Sequence, residues 1–495
     1  MSMSDIVSTS IGTVQGLRED GVLRFRAVPY AAPPVGALRF APPEPPVAWD
    51  GVRDVSRHGP IPPQPPSRLR AAMGEFDRVQ NEDCLTLAIA TPAADDRRRP
   101  VLVWLHGGAW LSGAGSLDWY DGAALARFGD VVVVGVNYRL GPLGFLHYPG
   151  LADGMMGLHD MVAALRFVRA NIARFGGDPD CVTLMGQSAG GGAVLRLLLM
   201  EETRGLFHRA IVQSGSVRRG LSSDAATLRA RRLMQLLNID PDGTDAAERL
   251  RGAPVGQMIT LQMQIARENA RFAEPDPAFP PVFDDFGSES AFSDRIAAAA
   301  AERGIDFVIG TTREEMHAFL VADPAMATPD ADAVAERFAT LAGRSDAIEA
   351  YRRRRPGGDL RDLLADLVTD YRFLFPALGV AERLARAGRN AFVYQFDWSA
   401  DGSPWQACHC IELPFVFGTR AAWDAPMLAG VRADEYAGIS GSMMAAWCGF
   451  ARTGVPAVQD LTWPAYEPGQ RWTMRFGRIT GAVGDLAGAG RRSFL

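Results

Sequence analysis

Val182-Thr183-Leu184-Met185-Gly186-Gln187-Ser188-Ala189-Gly190 runs a short apolar strand into a glycine-flanked serine, and a helix-forming stretch from Gly191 to Met200 follows. A serine held on a tight turn between strand and helix stands above the edge of a sheet, and glycines two residues to either side let that turn pack closely. The start of the helix then offers the Ala189 N–H and the positive end of the helix dipole to a developing oxyanion. The pentad alone is weak, because 52 glycines scatter such spacings by chance. Its place between a strand and a helix gives it weight.

Working outward, Leu158, Met161, Val162, Leu165, Val168 and Ile172 recur at helical spacing between Gly157 and Phe175, and Gly176-Gly177 ends the pattern. Strand, helix and strand in that order make a βαβ unit. Continuous apolar runs, the mark of strands buried on both faces, occur at Val101 to Leu105, Val131 to Val136, Val182 to Met185, Ala210 to Gln213, Phe307 to Ile309 and Phe392 to Phe396. They predict an α/β fold built on a central, mostly parallel twisted sheet flanked by helices. Residues 1–65, rich in proline and glycine around short apolar runs, predict a loop-rich antiparallel approach to that sheet. Residues 220–300 and 320–388, dominated by Ala, Arg and Leu, predict helical insertions over it. A length of 495 residues allows about three domains, but the gradual change of texture favours a single elaborated domain over 1–495.

Composition excludes several classes. Hydrophobic residues at 47% and charged residues at 22% are ordinary for a globular protein, against wholesale disorder or a fibrous repeat. The balance of 51 basic against 57 acidic residues leaves −6, which attracts no polyanion, so a nucleic-acid partner is excluded. The chain contains no lysine, so Schiff-base, P-loop and Ser-x-x-Lys chemistries are closed to it. Five scattered cysteines, Cys84, Cys181, Cys408, Cys410 and Cys448, do not make a disulfide framework. Met1 to Ser10 lacks a signal-like pattern, and no apolar run reaches about 18 residues, so a cytoplasmic setting without a membrane span is expected. The arginine runs Arg97 to Arg99 and Arg352 to Arg355 lack interleaved aromatics and read as solvated loop or helix ends.

A serine nucleophile needs a second oxyanion donor, a base and an acid. Val103-Trp104-Leu105-His106-Gly107-Gly108-Ala109-Trp110 runs a strand into a small-residue loop whose Gly108 and Ala109 N–H groups suit the first need. His106 precedes the serine, against the chain order Ser, acid, His, and reads as a structural loop residue. Of the three histidines after Ser188, His208, His317 and His409, His208 comes too early, and His409 follows the run Phe392 to Phe396 in a loop where a base can reach back over the sheet edge, so His409 is taken as the base over His317. The acid should follow the strand Phe307 to Ile309, where Glu314 and Glu315 are both candidates and spacing does not choose between them; Asp401 is a remote third. Cys408-His409-Cys410 invites a metal reading, but three consecutive residues do not readily wrap one tetrahedral ion, and neither a metal nor another cofactor is called for. Trp110, Trp119, Trp405, Met155 and Met156 suit an apolar acyl pocket, although ordinary packing explains each equally well.

Taken in order, Phe25 to Phe40, Asn81 to Leu85, Trp104 to Ser112, Asn137 to Gly141, Phe175 to Pro179, the serine pentad and His409 to Gly418 resemble the type-B carboxylesterase family, and within it the bacterial p-nitrobenzyl esterase-like members. The resemblance covers nearly the whole chain. It implies an α/β-hydrolase fold, a triad of Ser188, Glu315 and His409, oxyanion donors at Gly108, Ala109 and Ala189, and Ser214 supporting the triad from behind. It also implies structural ion pairs involving Arg139, Glu82 and Asp160. Three departures stand out: Gln187 where much of the family has glutamate, Met316 where it usually has glycine, and Pro62 where it has the cysteine that partners Cys84. The last removes the family's amino-terminal disulfide, in keeping with a reducing compartment.

The implied activity is a serine carboxylesterase acting on small-molecule carboxylic esters with short to medium acyl or aryl groups, as a monomer or dimer. A carbamate or anilide hydrolase with the same triad is the alternative within the mechanism. A non-catalytic adhesion module is the alternative outside it.

Overall fold

In the computed structural model, residues 5–217, 220–284, 287–344, 346–458, 460–486 and 488 are described, so residues 1–4 of the leading segment lie outside. The apolar runs pair into an eleven-stranded sheet. In chain order its strands are β1 Leu17–Glu19, β2 Val22–Pro29, β3 Thr86–Thr91, β4 Arg99–Leu105, β5 Val132–Val136, β6 Gly177–Gln187, β7 Arg209–Gln213, β8 Asp306–Thr312, β9 Ala391–Phe396, β10 Thr473–Phe476 and β11 Gly481–Val483. Across the sheet they lie in the order β11-β10-β9-β8-β7-β6-β4-β5-β3-β2-β1. The block from β5 to β10 is parallel throughout, and the two ends are antiparallel. The six apolar runs of the sequence are the contiguous centre of that block.

Alternation along β4 shows why a continuous apolar run is needed. Val101, Val103 and Leu105 belong to one hydrophobic cluster and Leu102 and Trp104 to another, one on each face of the sheet. Each face is covered by helices, the condition under which parallel strands are stable. Helix α1, Met156–Asn171, joins β5 to β6, and a single 3₁₀ turn continues it over Ile172–Phe175 before Gly176 reverses the chain at φ 80°. Helix α2, Ala189–Leu199, starts at Ser188 and packs over β6 and β7.

The stretch 220–300 holds the helices Ser223–Leu236, Ala246–Gly252, Val255–Asn269 and Glu289–Arg303. The stretch 320–388 holds Ala331–Ala342, Ala347–Arg354 and Leu360–Thr369, then a π-helical turn over Asp370–Leu374 and the helix Phe375–Arg386. Val334, Phe338, Tyr351, Leu364 and Leu367 of the second stretch form a small core of their own. Among the described residues, no helix is long and apolar enough to cross a membrane.

Two expectations about charge need correction. Arg99 is 3% exposed and pairs with Asp95 and Asp130, and Arg354 and Arg355 pair with the buried Asp366, with Asp370 and Glu314 as further partners. Arg97, Arg98, Arg352 and Arg353 are solvated as expected, Arg354 is exposed while pairing inward, and Arg99 and Arg355 are drawn in. A long stem with a planar, five-donor head lets an arginine at a helix end reach back under its neighbours. The Cys84 thiol is free and buried, beside a small gap bordered by Pro62, Pro63 and Arg139.

Arg139 and Asp160 form a bidentate pair, Nε to Oδ2 at 2.8 Å and Nη2 to Oδ1 at 2.7 Å, with 3% and 0% of the side chains exposed. The Arg139 N–H adds a third bond to Oδ2 at 3.0 Å, so the carboxylate ties the turn after β5 to α1. Removing one partner strands the other charge. Asp160→Ala should therefore cost about 3–5 kcal/mol of unfolding free energy, read from urea denaturation; a loss under about 1 kcal/mol, the scale of an exposed pair, would contradict this account.

Candidate active site

The sheet order reverses between β4 and β6. β4 leads to β5 on one side while β6 and its successors build outward on the other, and this is where open α/β sheets leave a crevice at their carboxyl ends. Register places Gly186 opposite Leu105, so the loop after β4 and the turn after β6 emerge side by side.

Ser188 sits on that turn at φ 56°, ψ −119°, a conformation costly for a residue with a side chain. The glycines around it are forced by contact. A Cβ on Gly190 would lie 2.0 Å from the Leu105 carbonyl oxygen and 2.6 Å from that of His106, and one on Gly186 would lie 2.5 Å from the Gly190 backbone. The Ser188 N–H donates to the Gln213 carbonyl at 2.8 Å and its carbonyl accepts from the Gly192 N–H at 2.9 Å, which hold the turn from both sides.

The facing loop is also strained into place. Gly108, Ala109 and Trp110 have φ of 114°, 57° and 65°, and the Leu111 and Ser112 N–H groups close onto the Gly108 carbonyl at 3.0 and 3.1 Å. His106 is buried, stacks on Tyr138 at 4.3 Å, and has its pKa lowered to about 4 by burial. It is a wall of the loop, far from the base role.

His409 arrives from the loop after β9. Its Nδ1 lies 2.5 Å from Glu315 Oε2, both side chains are 1% exposed or less, and the Thr312 N–H donates to Glu315 Oε1 at 2.9 Å. Glu314 turns the other way, accepting from Arg313, from Arg355 and from the Ala407 N–H. Of the two acids that spacing left open, Glu315 is the one on the imidazole. Asp401 is exposed and pairs with Arg478. The rings of Phe373 and Phe319 stand 5.1 and 5.4 Å from the imidazole. Cys408 and Cys410 face apart, towards Met427 and Gln187.

Two residues expected behind the triad behave differently. Gln187 places its amide nitrogen 3.1 Å from His409 Nε2 and 3.2 Å from Cys410 Sγ. With Nδ1–H given to Glu315, that amide donates to the Nε2 lone pair. Ser214 is buried at φ 47° with its N–H on the Gly310 carbonyl at 2.7 Å, and its Oγ has no hydrogen-bond partner.

Two cavities meet at Ser188. A narrow one of about 50 Å³ is bordered by Gly108, Ala109, Trp119, Tyr120, Gln187 and His409. A wide one of about 930 Å³ is bordered by Ala109, Trp110, Ala189 and residues of both helical stretches, including Tyr371 and Phe373 from the π turn. Trp405, Met155 and Met156 border neither. π turns recur at functional sites because the extra residue redirects side chains. Sequence reading passed over this turn and also Arg196, a lone charge in the otherwise apolar Ala189–Leu199 helix, which borders the wide cavity.

Glu412 is a third unforeseen group. It is fully buried; Gln213 donates to Oε1 at 3.3 Å and Oε2 has no partner. Burial first, and the Glu315 charge second, push its pKa up to about 8 from an ordinary 4.5. Between those values the folded protein holds a proton that the unfolded chain releases, so stability falls as pH rises through the window. In urea unfolding at several pH values, the wild type should lose stability relative to Glu412→Gln from about pH 5 to about pH 8; a difference independent of pH would contradict the raised pKa.

Comparison with known proteins agrees with this geometry. Residues 3–485 match the Carboxylesterase family. The chain is 38% identical to a para-nitrobenzyl esterase of Bacillus subtilis (strain 168), over 95% of this chain and 94% of that one. It is 37% identical to a phenmedipham hydrolase of Pseudarthrobacter oxydans, over 93% of each. The crystal structure of a Geobacillus stearothermophilus carboxylesterase superposes with a TM-score of 0.87 at 34% identity, covering 99% of this chain and 100% of that one.

Proposed function

The chain belongs to the carboxylesterase family and is an ester-hydrolysing serine hydrolase of the α/β-hydrolase fold, and on that premise we propose that Ser188, His409 and Glu315 are its triad, with Gly108, Ala109 and Ala189 as oxyanion donors. The observation that carries this reading is the buried 2.5 Å bond from Glu315 to His409 Nδ1, which leaves Nε2 as the ring nitrogen for proton transfer, with Ser188 and His409 bordering the same narrow chamber.

Once the Gln187 amide has released His409 Nε2, Ser188 Oγ attacks the ester carbonyl and gives its proton to that nitrogen. Glu315 fixes the tautomer and stabilises the imidazolium. The carbonyl oxygen becomes the oxyanion, and each aligned N–H is worth about two to three orders of magnitude in kcat. His409 then passes the proton to the departing alcohol, leaving an acyl-Ser188. Water, deprotonated by His409, attacks the acyl carbon, and collapse frees the acid and restores the serine proton.

Gln187 supports a preference for neutral leaving groups, since it brings an amide and no negative charge beside His409. Residues 1–495 form one elaborated domain on this reading, with 220–300 and 320–388 covering the site, and the five free thiols support a reducing cytoplasmic setting.

Ser188→Ala should abolish turnover of p-nitrophenyl acyl esters and labelling by a fluorophosphonate while leaving the circular dichroism spectrum unchanged; more than a few per cent of residual turnover sinks the assignment. Glu315→Gln should lower kcat by about three to four orders of magnitude. An N-aryl carbamate turned over as well as the best acyl ester would favour the nitrogen-linked alternative. Gln187→Glu puts a carboxylate against the imidazole, favours its protonated form, and should move the acid limb of kcat/KM to higher pH; an unmoved limb would contradict the contact.

A further inference from the structure

Ester cleavage at Ser188 sorts a substrate into two halves. The departing alcohol takes its proton from His409, so it stands on the side of the narrow chamber that His409 borders. The acyl group stays on the serine and extends into the wide cavity. Resting on the serine esterase reading above, we propose that the wide cavity takes an acyl group bearing its own carboxylate, and that the substrates are monoesters of dicarboxylic acids with a compact apolar alcohol.

Arg196 sets the distance. It lies two helical turns beyond Ser188 in α2, and its side chain turns back so that Nη1 donates to the Gly192 carbonyl at 3.0 Å, while the Gly192 N–H donates to the Ser188 carbonyl at 2.9 Å. The guanidinium is thereby about one turn, roughly 5 Å along the axis, from the serine. Gly192 leaves the space open, since a Cβ there would lie 3.2 Å from Nη1 and 3.6 Å from the Trp110 ring. The rings of Trp110, Phe283 and Phe292 surround the cation at 5.3 to 5.8 Å from their centroids. Burial lowers its pKa only to about 10, so it stays charged at neutral pH.

The rest of the wall has the same sign. Among the described lining residues, Arg68, Arg196, Arg229, Arg271 and Arg372 face the carboxylates of Glu274, Asp276 and Glu289. Glu274 is further engaged by Arg337 from outside the lining, and Asp276 is taken bidentately by Arg229 at 2.7 and 2.9 Å. Among the described residues, Arg68 donates to the Asp276 backbone carbonyl at 2.9 Å, and burial lowers its pKa to about 10. A concave wall with a positive excess raises the local concentration of anions, and a guanidinium fork matches a carboxylate with two bonds. The narrow chamber shares Arg68 with the wide one, but Arg196, Arg229, Arg271 and Arg372 border the wide cavity alone, and Met73, Phe76, Trp119 and Tyr120 offer an alcohol apolar contact.

The test compares kcat/KM for monobenzyl adipate, benzyl hexanoate, benzyl 6-aminohexanoate and 4-carboxybenzyl hexanoate, with fluorophosphonate labelling of Ser188 alongside. Monobenzyl adipate should exceed benzyl hexanoate by about tenfold or more, the scale of one charge-assisted hydrogen bond, and the aminohexanoate should be the poorest. Arg196→Gln should bring the adipate-to-hexanoate ratio towards one; should that variant fail to fold, Arg271→Gln, which borders the wide cavity and not the narrow one, carries the same reading. Benzyl hexanoate equal to or better than the adipate, a stronger preference for the carboxybenzyl ester, or a ratio unchanged in both variants would overturn the acyl proposal while leaving the esterase in place. No turnover of any ester together with an unlabelled serine would overturn both.

Discussion

The structure hangs on one close approach, the backbone of Gly190 against the carbonyls of Leu105 and His106. With 2.0 Å between a notional Cβ and the Leu105 oxygen, no side chain is admitted there. That contact lets α2 begin directly over the end of β4, and it seats Ser188 beside Gly108 and Ala109. The same contact fixes the helix axis on which Gly192 and Arg196 follow the serine at intervals of one turn. Loosening it would separate Ser188 from the loop that faces it and shift the Arg196 side of the wide cavity together.

Electrostatic order around that contact is carried by arginine alone. Behind the site, Arg354 and Arg355 hold Asp366, Asp370 and Glu314, and Tyr351 donates to Asp370 at 2.8 Å. Arg355 and Arg313 draw Glu314 away from the imidazole, which leaves Glu315 to face it. Asp370 opens the π turn that carries Phe373 to His409. The second helical stretch is thus fastened to Glu314, the neighbour of Glu315, by ion pairs and to the His409 imidazole by ring contact. Buried pairs of this kind contribute little net stability but penalise alternative arrangements when one partner is stranded.

The central sheet was legible because strands buried on both faces must be apolar at every position, so β4 to β9 stand out as uninterrupted runs. The strands that flank this block, β3 and β10, were not singled out, since Thr86 and Thr91 bound one and Thr473 and Arg475 interrupt the other. Ser188, Gly108, Ala109 and His409 were legible because glycine spacing and chain order constrain them. The choice between Glu314 and Glu315 was not, since it depends on which side of a turn faces a loop more than ninety residues later in the chain. Arg99 and Arg355 were read as solvated from the lack of interleaved aromatics, a pattern that carries no signal for the carboxylates their long stems reach, Asp95 and Asp130 for one and Asp366 for the other. Glu412 and Arg196 gave little signal: each is one polar residue in an apolar stretch, and only burial separates it from a surface charge.

The narrow chamber beside His409 has a kinetic corollary. At about 50 Å³ it is small beside the wide cavity of about 930 Å³, so on the proposed mechanism the alcohol and the water that replaces it compete for the place beside His409. The alcohol must depart before hydrolysis can finish, and any alcohol returning to the chamber competes with water for the acyl group. Partitioning between hydrolysis and acyl transfer is then set by occupancy of that small volume, and an enzyme built this way becomes a transesterification catalyst wherever small alcohols outnumber water in the chamber.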